Sequence, residues 1–199
     1  MEMLLKKRSW AVKAVAALSL ASVLVLSGHG ISHAATSATT NAQVAVTGGN
    51  LSIATANPTV NFGSVALSST AQTVNATVGD VDESDLTGTG AGWHVAVGAS
   101  PFSTGGTTPN KLPEGSLSLS APTGTDATGG TTSAAPTVTS GAPWLVDSGN
   151  SVNVLSAATG TGMGTYATHF TAPIALTVPS SAYVGTYSST LTWQIITAP

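Results

Sequence analysis

Apolar side chains recur at every second position along this chain, in short runs cut off by glycine, proline, asparagine and serine. Val44 and Val46 form one such run, followed by Leu51 and Ile53, then Val74, Ala76 and Val78. Trp93, Val95 and Val97 repeat the pattern, as do Leu117 and Leu119, Val152 and Val154, and Ile174, Leu176 and Val178. Period two sends alternate side chains to opposite faces of a strand, so each run buries one face. Many short alternating runs between turn residues mark a sandwich or barrel. Beyond residue 34 no segment holds helical spacing for more than two turns, and no fixed-period repeat points to a solenoid. The expectation is an all-β chain, a single antiparallel β-sandwich domain over residues 35–199.

The first 34 residues read differently. Lys6, Lys7, Arg8 and Lys13 form a positive cluster, an apolar stretch from residue 14 to residue 26 follows, and Ser32-His33-Ala34 supplies the small residues of a cleavage site. That is an export signal, and the apolar run falls short of the ~20 residues that span a bilayer. Cleavage after Ala34 would remove four of the five basic residues and leave Lys111 alone against seven acids, a net charge of −6 with histidine neutral. Such a surface offers no basic patch to phosphates, which excludes nucleic acid and disfavours anionic lipid. The absence of cysteine removes lipoprotein anchoring, thiol catalysis and thiolate metal sites, and 165 residues are enough to bury a core without disulfides. Nothing hydrophobic or basic follows the last strand, so attachment at a surface is expected to be non-covalent, with no membrane contact after signal cleavage.

Within the domain, residues 41–62 are expected to hold the opening strands, with further strands at 72–78, 92–99 and 116–120. Residues 103–113 and 123–135 are rich in Gly, Thr, Ser and Pro and read as loops. Residues 165–196 hold three successive strands, bent at Ala172-Pro173 and at Pro179-Ser180-Ser181.

The last of these carries the most specific pattern: Tyr187-x-x-x-Leu191-Thr192-Trp193-x-Ile195-x-x-Ala198-Pro199. Tyr187, Ser189, Leu191, Trp193 and Ile195 share one parity and therefore one face, while Ser188, Thr190, Thr192 and Gln194 take the other. The pattern resembles the distal motif of the WxL domain, a cell-wall-binding module of Gram-positive surface proteins. Trp93-His94-Val95, after Gly92 and behind an acidic segment, resembles its proximal Trp-x-Leu motif. Val95 and Ile195 stand where the family has leucine, β-branched replacements that suit a strand. The similarity extends over residues 57–199. It implies secretion, non-covalent binding to peptidoglycan and assembly with other surface proteins, with Trp93, Val95, Tyr187, Leu191, Thr192, Trp193 and Ile195 as its motif residues.

Periodicity leaves two placements open for the tryptophans. Both rings are core residues of facing sheets, or one is exposed and stacks on wall sugar; the first is the expectation. It predicts that Trp193→Ala loses stability and binding together.

The remaining constellations are weaker. Asp80-Val81-Asp82-Glu83-Ser84-Asp85 lacks the glycine and fifth-position ligand of an EF-hand and reads as a solvated loop, with a calcium site the lesser alternative. His94 and His169 are the only histidines beyond residue 34; His94 has the opposite parity to Trp93 and is expected to face solvent. No Gly-x-Ser-x-Gly elbow or positioned carboxylate pair is evident, so neither catalysis, a metal nor a cofactor is expected. The rival to wall binding is a self-assembling structural protein, an S-layer-like or fibre subunit joined strand to strand.

Overall fold

In the computed structural model, residues 37–198 are described, apart from residues 56 and 58. The expected signal peptide lies outside them. The chain divides into two units, Met1–Gln43 and Val44–Pro199, and every strand among the described residues lies in the second.

Twelve strands and no helix make up the described residues. They are β1 (Leu51–Thr55), β2 (Gln72–Ala76), β3 (Gly79–Asp85), β4 (Trp93–Ala99), β5 (Leu117–Leu119) and β6 (Gly124–Thr128). After them come β7 (Thr137–Val138), β8 (Trp144–Leu145), β9 (Val152–Ala157), β10 (Gly164–Phe170), β11 (Ile174–Val178) and β12 (Leu191–Thr197). The all-β, antiparallel expectation is borne out, with the strands distributed over three four-stranded sheets ordered β1-β3-β10-β6, β2-β11-β5-β8 and β12-β4-β9-β7. One core joins all three: Val81, Tyr166 and Phe170 from the first sheet, Leu119 and Ile174 from the second, Trp93, Val95 and Val97 from the third. Alternation drives this arrangement, because each sheet turns its apolar parity inward and its Thr, Ser and Asn parity to water.

Four expectations need correction. The acidic run is no loop: it forms β3, paired on both sides, with Val81, Glu83 and Asp85 buried and Asp82 exposed. Its inward polar side chains are held by hydrogen bonds: the Asp85 carboxylate accepts from the Thr87 N–H at 3.0 Å and the Thr87 hydroxyl at 2.6 Å, and Glu83 Oε2 accepts from the Thr168 hydroxyl at 3.0 Å. The run is thereby split between two faces of a sheet and does not gather as one calcium loop. The stretch 123–135 contains β6, a polar edge strand held by β10. Of the opening region only Leu51–Thr55 is a strand, because β3 offers it an edge, whereas Val44 and Val46 remain exposed. Finally, His94 is half-buried rather than solvent-facing.

Candidate functional site

The two tryptophan motifs meet on paired strands. β12 runs antiparallel to β4 with Ile195 opposite Val95, Trp193 opposite Val97 and Thr197 opposite Trp93. The tryptophans therefore belong to neighbouring strands of one sheet, not to facing sheets. The third positions of both motifs, Val95 and Ile195, form a cross-strand pair, and β-branched side chains suit that contact. Trp93 stands at one end of the ladder, and Trp193 lies within it, opposite Val97.

They also sit in different environments. Trp93 is fully buried, and its indole Nε1–H donates to the Gly162 carbonyl at 2.9 Å. Gly92 precedes it at φ +82°, in the left-handed region, and a side chain there would strike the Ala157 carbonyl. Its own carbonyl accepts from the Ala198 N–H at 3.0 Å, so the end of the distal motif closes onto the start of the proximal one. Trp193 is half-buried. Its ring meets the buried Phe170 edge-on, 5.1 Å between centroids at 62°.

Tyr187 precedes the regular strand, which begins at Leu191. Residues 188–190 continue the pairing irregularly along residues 100–103: Ser188 and Ser103 exchange N–H···O bonds of 2.9 Å, and the Ser100 N–H donates to Thr190 at 3.0 Å. The alternation expected for the tail holds through this segment. Tyr187, Ser189, Leu191, Trp193 and Ile195 are half-buried, whereas Ser188, Thr190, Thr192 and Gln194 are exposed. The Tyr187 hydroxyl donates to the Tyr183 carbonyl at 3.0 Å, which fixes the ring.

Tyr187, Leu191 and Trp193 line a cleft of about 950 Å³. Residues 59–67 and 182–190 also line it, along with inward side chains of β2 and β11 such as Val74 and Leu176. Its size is at the upper end of the roughly 300–1,000 Å³ usual for ligand sites. Among the described residues no Asp, Glu, Lys, Arg or His borders it; its polar groups are hydroxyls, amides and backbone. Trp93 and Val95 are not part of it. The motif expectation thus divides into buried Trp93 and Val95, and cleft-lining Tyr187, Leu191 and Trp193.

Sequence reasoning missed a second polar cluster. On the outer face of the first sheet, His169 of β10 lies between two carboxylates, with Nδ1 3.0 Å from Asp80 of β3 and Nε2 3.1 Å from Asp126 of β6. The hydrogen bond to Asp80, then that to Asp126, raises the imidazole pKa above its usual value. The acids approach opposite edges of the ring, so the trio clasps three strands together instead of converging on one point. Asp80→Asn is expected to lower the His169 pKa, read by NMR titration of its ring protons; an unchanged midpoint would mean that the clasp does not form in solution. Only register could have revealed the trio, since its members are spread from residue 80 to residue 169.

Of the paired tryptophan strands, β12 borders the uncharged cleft through Leu191 and Trp193, whereas Trp93 and Val95 of β4 are buried in the core. The family model for the WxL domain, described as a surface, cell wall-binding domain, matches residues 34–199. The chain belongs to the WxL family and is a surface domain of the cell-wall-binding class. Searches of curated proteins and of solved structures returned no match.

Proposed function

We propose that the protein is exported by its first 34 residues, stays on the wall of a Gram-positive cell without covalent attachment, and binds the peptidoglycan glycan in the cleft beside Tyr187 and Trp193. It acts as a surface scaffold by binding, not by catalysis. The observation that carries this reading is the chemistry of the cleft. Aromatic rings offer flat apolar faces to sugar C–H groups, and the surrounding Asn, Ser and Thr side chains match sugar hydroxyl and N-acetyl groups. The lack of a charged lining suits a neutral polymer and leaves teichoic-acid phosphates without a counter-charge.

A pull-down with purified wall tests it. Trp193→Ala and Tyr187→Ala are expected to reduce wall binding at least about tenfold, a loss of ~1.4 kcal/mol. Trp193 is half-buried against the core, and its edge contact with Phe170 is worth ~0.5–1.5 kcal/mol beyond the area it buries, so both variants should lose less stability than truncation of the fully buried Trp93. Binding should also be insensitive to salt, or strengthen as repulsion from the acidic surface is screened. Undiminished binding by both variants, or steep weakening with salt, would overturn the reading.

A further inference from the structure

A short segment just before the first strand has strand-type alternation and, among the described residues, no strand partner. Val44 and Val46 are 86% and 89% exposed, and residues 44–47 belong to no strand or turn. Valines two apart are what a sheet normally buries. The chain becomes anchored only at residue 49, where the Gly49 N–H donates to the Leu86 carbonyl at 2.6 Å and the Leu86 N–H returns to Asn50 at 3.1 Å. Gly48 and Gly49 join the exposed segment to β1, and a side chain on Gly48 would strike the Thr87 carbonyl.

The sheets present six edges that could receive such an arm, and five are poor templates. β7 and β8 are two residues long. β6 carries Asp126 and is exposed along its second half. β1 and β12 lie against each other. That leaves β2, five residues whose one strand partner among the described residues is β11. Gln72-Thr73-Val74-Asn75-Ala76 has no lysine, proline or inward charge of the kind that blunts an edge. Its Val74 lines the uncharged cleft.

We propose that residues 44–47 of one molecule add as a strand to the free edge of β2 in a second copy, with Val44 and Val46 on the cleft side beside Val74 and Ala76. Main-chain hydrogen bonds would supply the affinity and the alternate valines the register. Charge favours these two surfaces over others. Residues 35–50 contain no charged side chain, and none borders the cleft, so two acidic molecules can meet there without desolvating a carboxylate. A second copy fits as the occupant, because among the described residues of one chain both the arm and the β2 edge lack a strand partner and each copy carries both. Donor and acceptor patches differ, so the contact is head-to-tail and builds rings or open chains larger than the single molecule. This goes beyond wall binding and needs no wall.

Sedimentation of the processed chain in wall-free buffer tests it. A four-residue strand makes a small interface, so mass should grow with concentration over roughly 10 μM to 1 mM. Val44→Asp/Val46→Asp should stay monomeric with an unchanged melting temperature, since both side chains are exposed. The chain has no cysteine, so an Ala45→Cys protein mixed with an Asn75→Cys protein should give a mixed disulfide dimer that neither gives alone. A monomer at every concentration, or an Asp variant that associates like the parent, would overturn the proposal. So would a concentration-independent disulfide within one chain bearing both cysteines, which would make its own arm the occupant. Each readout is independent of the wall pull-down, so either reading can fail alone.

Discussion

Trp93→Ala is expected to lower the melting temperature by about 6–20 °C and to weaken wall binding along with the fold. The ring is fully buried where the core of all three sheets meets, and truncating a buried Trp typically costs ~3–5 kcal/mol. A domain of this length loses ~2–4 °C per kcal/mol, which gives the shift. Truncation also strips the Gly162 carbonyl of its indole donor, leaving a buried acceptor without that partner. Such a loss is a large share of a total stability of ~5–15 kcal/mol. Thermal unfolding followed by near-ultraviolet circular dichroism, beside the wall pull-down, checks it. A Trp93→Ala protein that melts like the parent would contradict its burial. Joint loss of fold and binding, expected from the sequence for Trp193, is transferred to Trp93 by the structure. Trp193 is the variant in which the two effects should separate.

How much of this was legible in the sequence depends on the kind of information each element carries. β2, β4, β5, β9 and β11 announce themselves by alternation, because burying one face of a strand is a local demand on side chains. β3 escaped because Glu83 and Asp85 occupy slots where an apolar residue would be read; Asp85 is held locally by Thr87, but the partner of Glu83, Thr168, comes from another strand. β6 escaped because a polar edge strand has no apolar face to display. The opposite error occurred at Val44 and Val46, where alternation says which face would be buried but not whether an edge exists to receive it. The candidate site was legible only in part. The parity of Tyr187, Leu191 and Trp193 placed them on one face. That Val95 stands opposite Ile195, or that residues 59–67 complete a cleft, depends on contacts between segments some hundred residues apart. Register of that kind is set by the whole fold.

Glu83 should make the protein less stable as pH rises from acid toward 8, and Glu83→Gln should remove that dependence. The carboxyl lies on the inward face of β3, and its pKa is pushed up from about 4.5 to about 8, chiefly by burial away from water. Thr168 donates to Oε2 at 3.0 Å and is itself 3.1 Å from the Thr125 hydroxyl, while Oε1 is buried without a partner. The hydrogen bond favours the carboxylate, but burial outweighs it, so Glu83 is neutral in the folded protein near pH 7. Below about pH 4.5 the group is protonated in both folded and unfolded chains and contributes no pH dependence. Between about 4.5 and 8 the unfolded chain releases the proton and the folded chain keeps it. The unfolded state then binds fewer protons, and stability falls by about 1.4 kcal/mol per pH unit. Above about 8 both chains are ionised and the loss levels off at roughly 5 kcal/mol, an upper value for a site where water penetration softens the penalty. Glutamine keeps the shape and neutrality of the protonated acid. Urea unfolding at pH 5, 6, 7 and 8 should therefore show the parent midpoint falling steadily relative to that of Glu83→Gln, with the variant several kcal/mol the more stable at pH 8. Parallel profiles would mean that Glu83 is ionised, and therefore hydrated, in the folded protein.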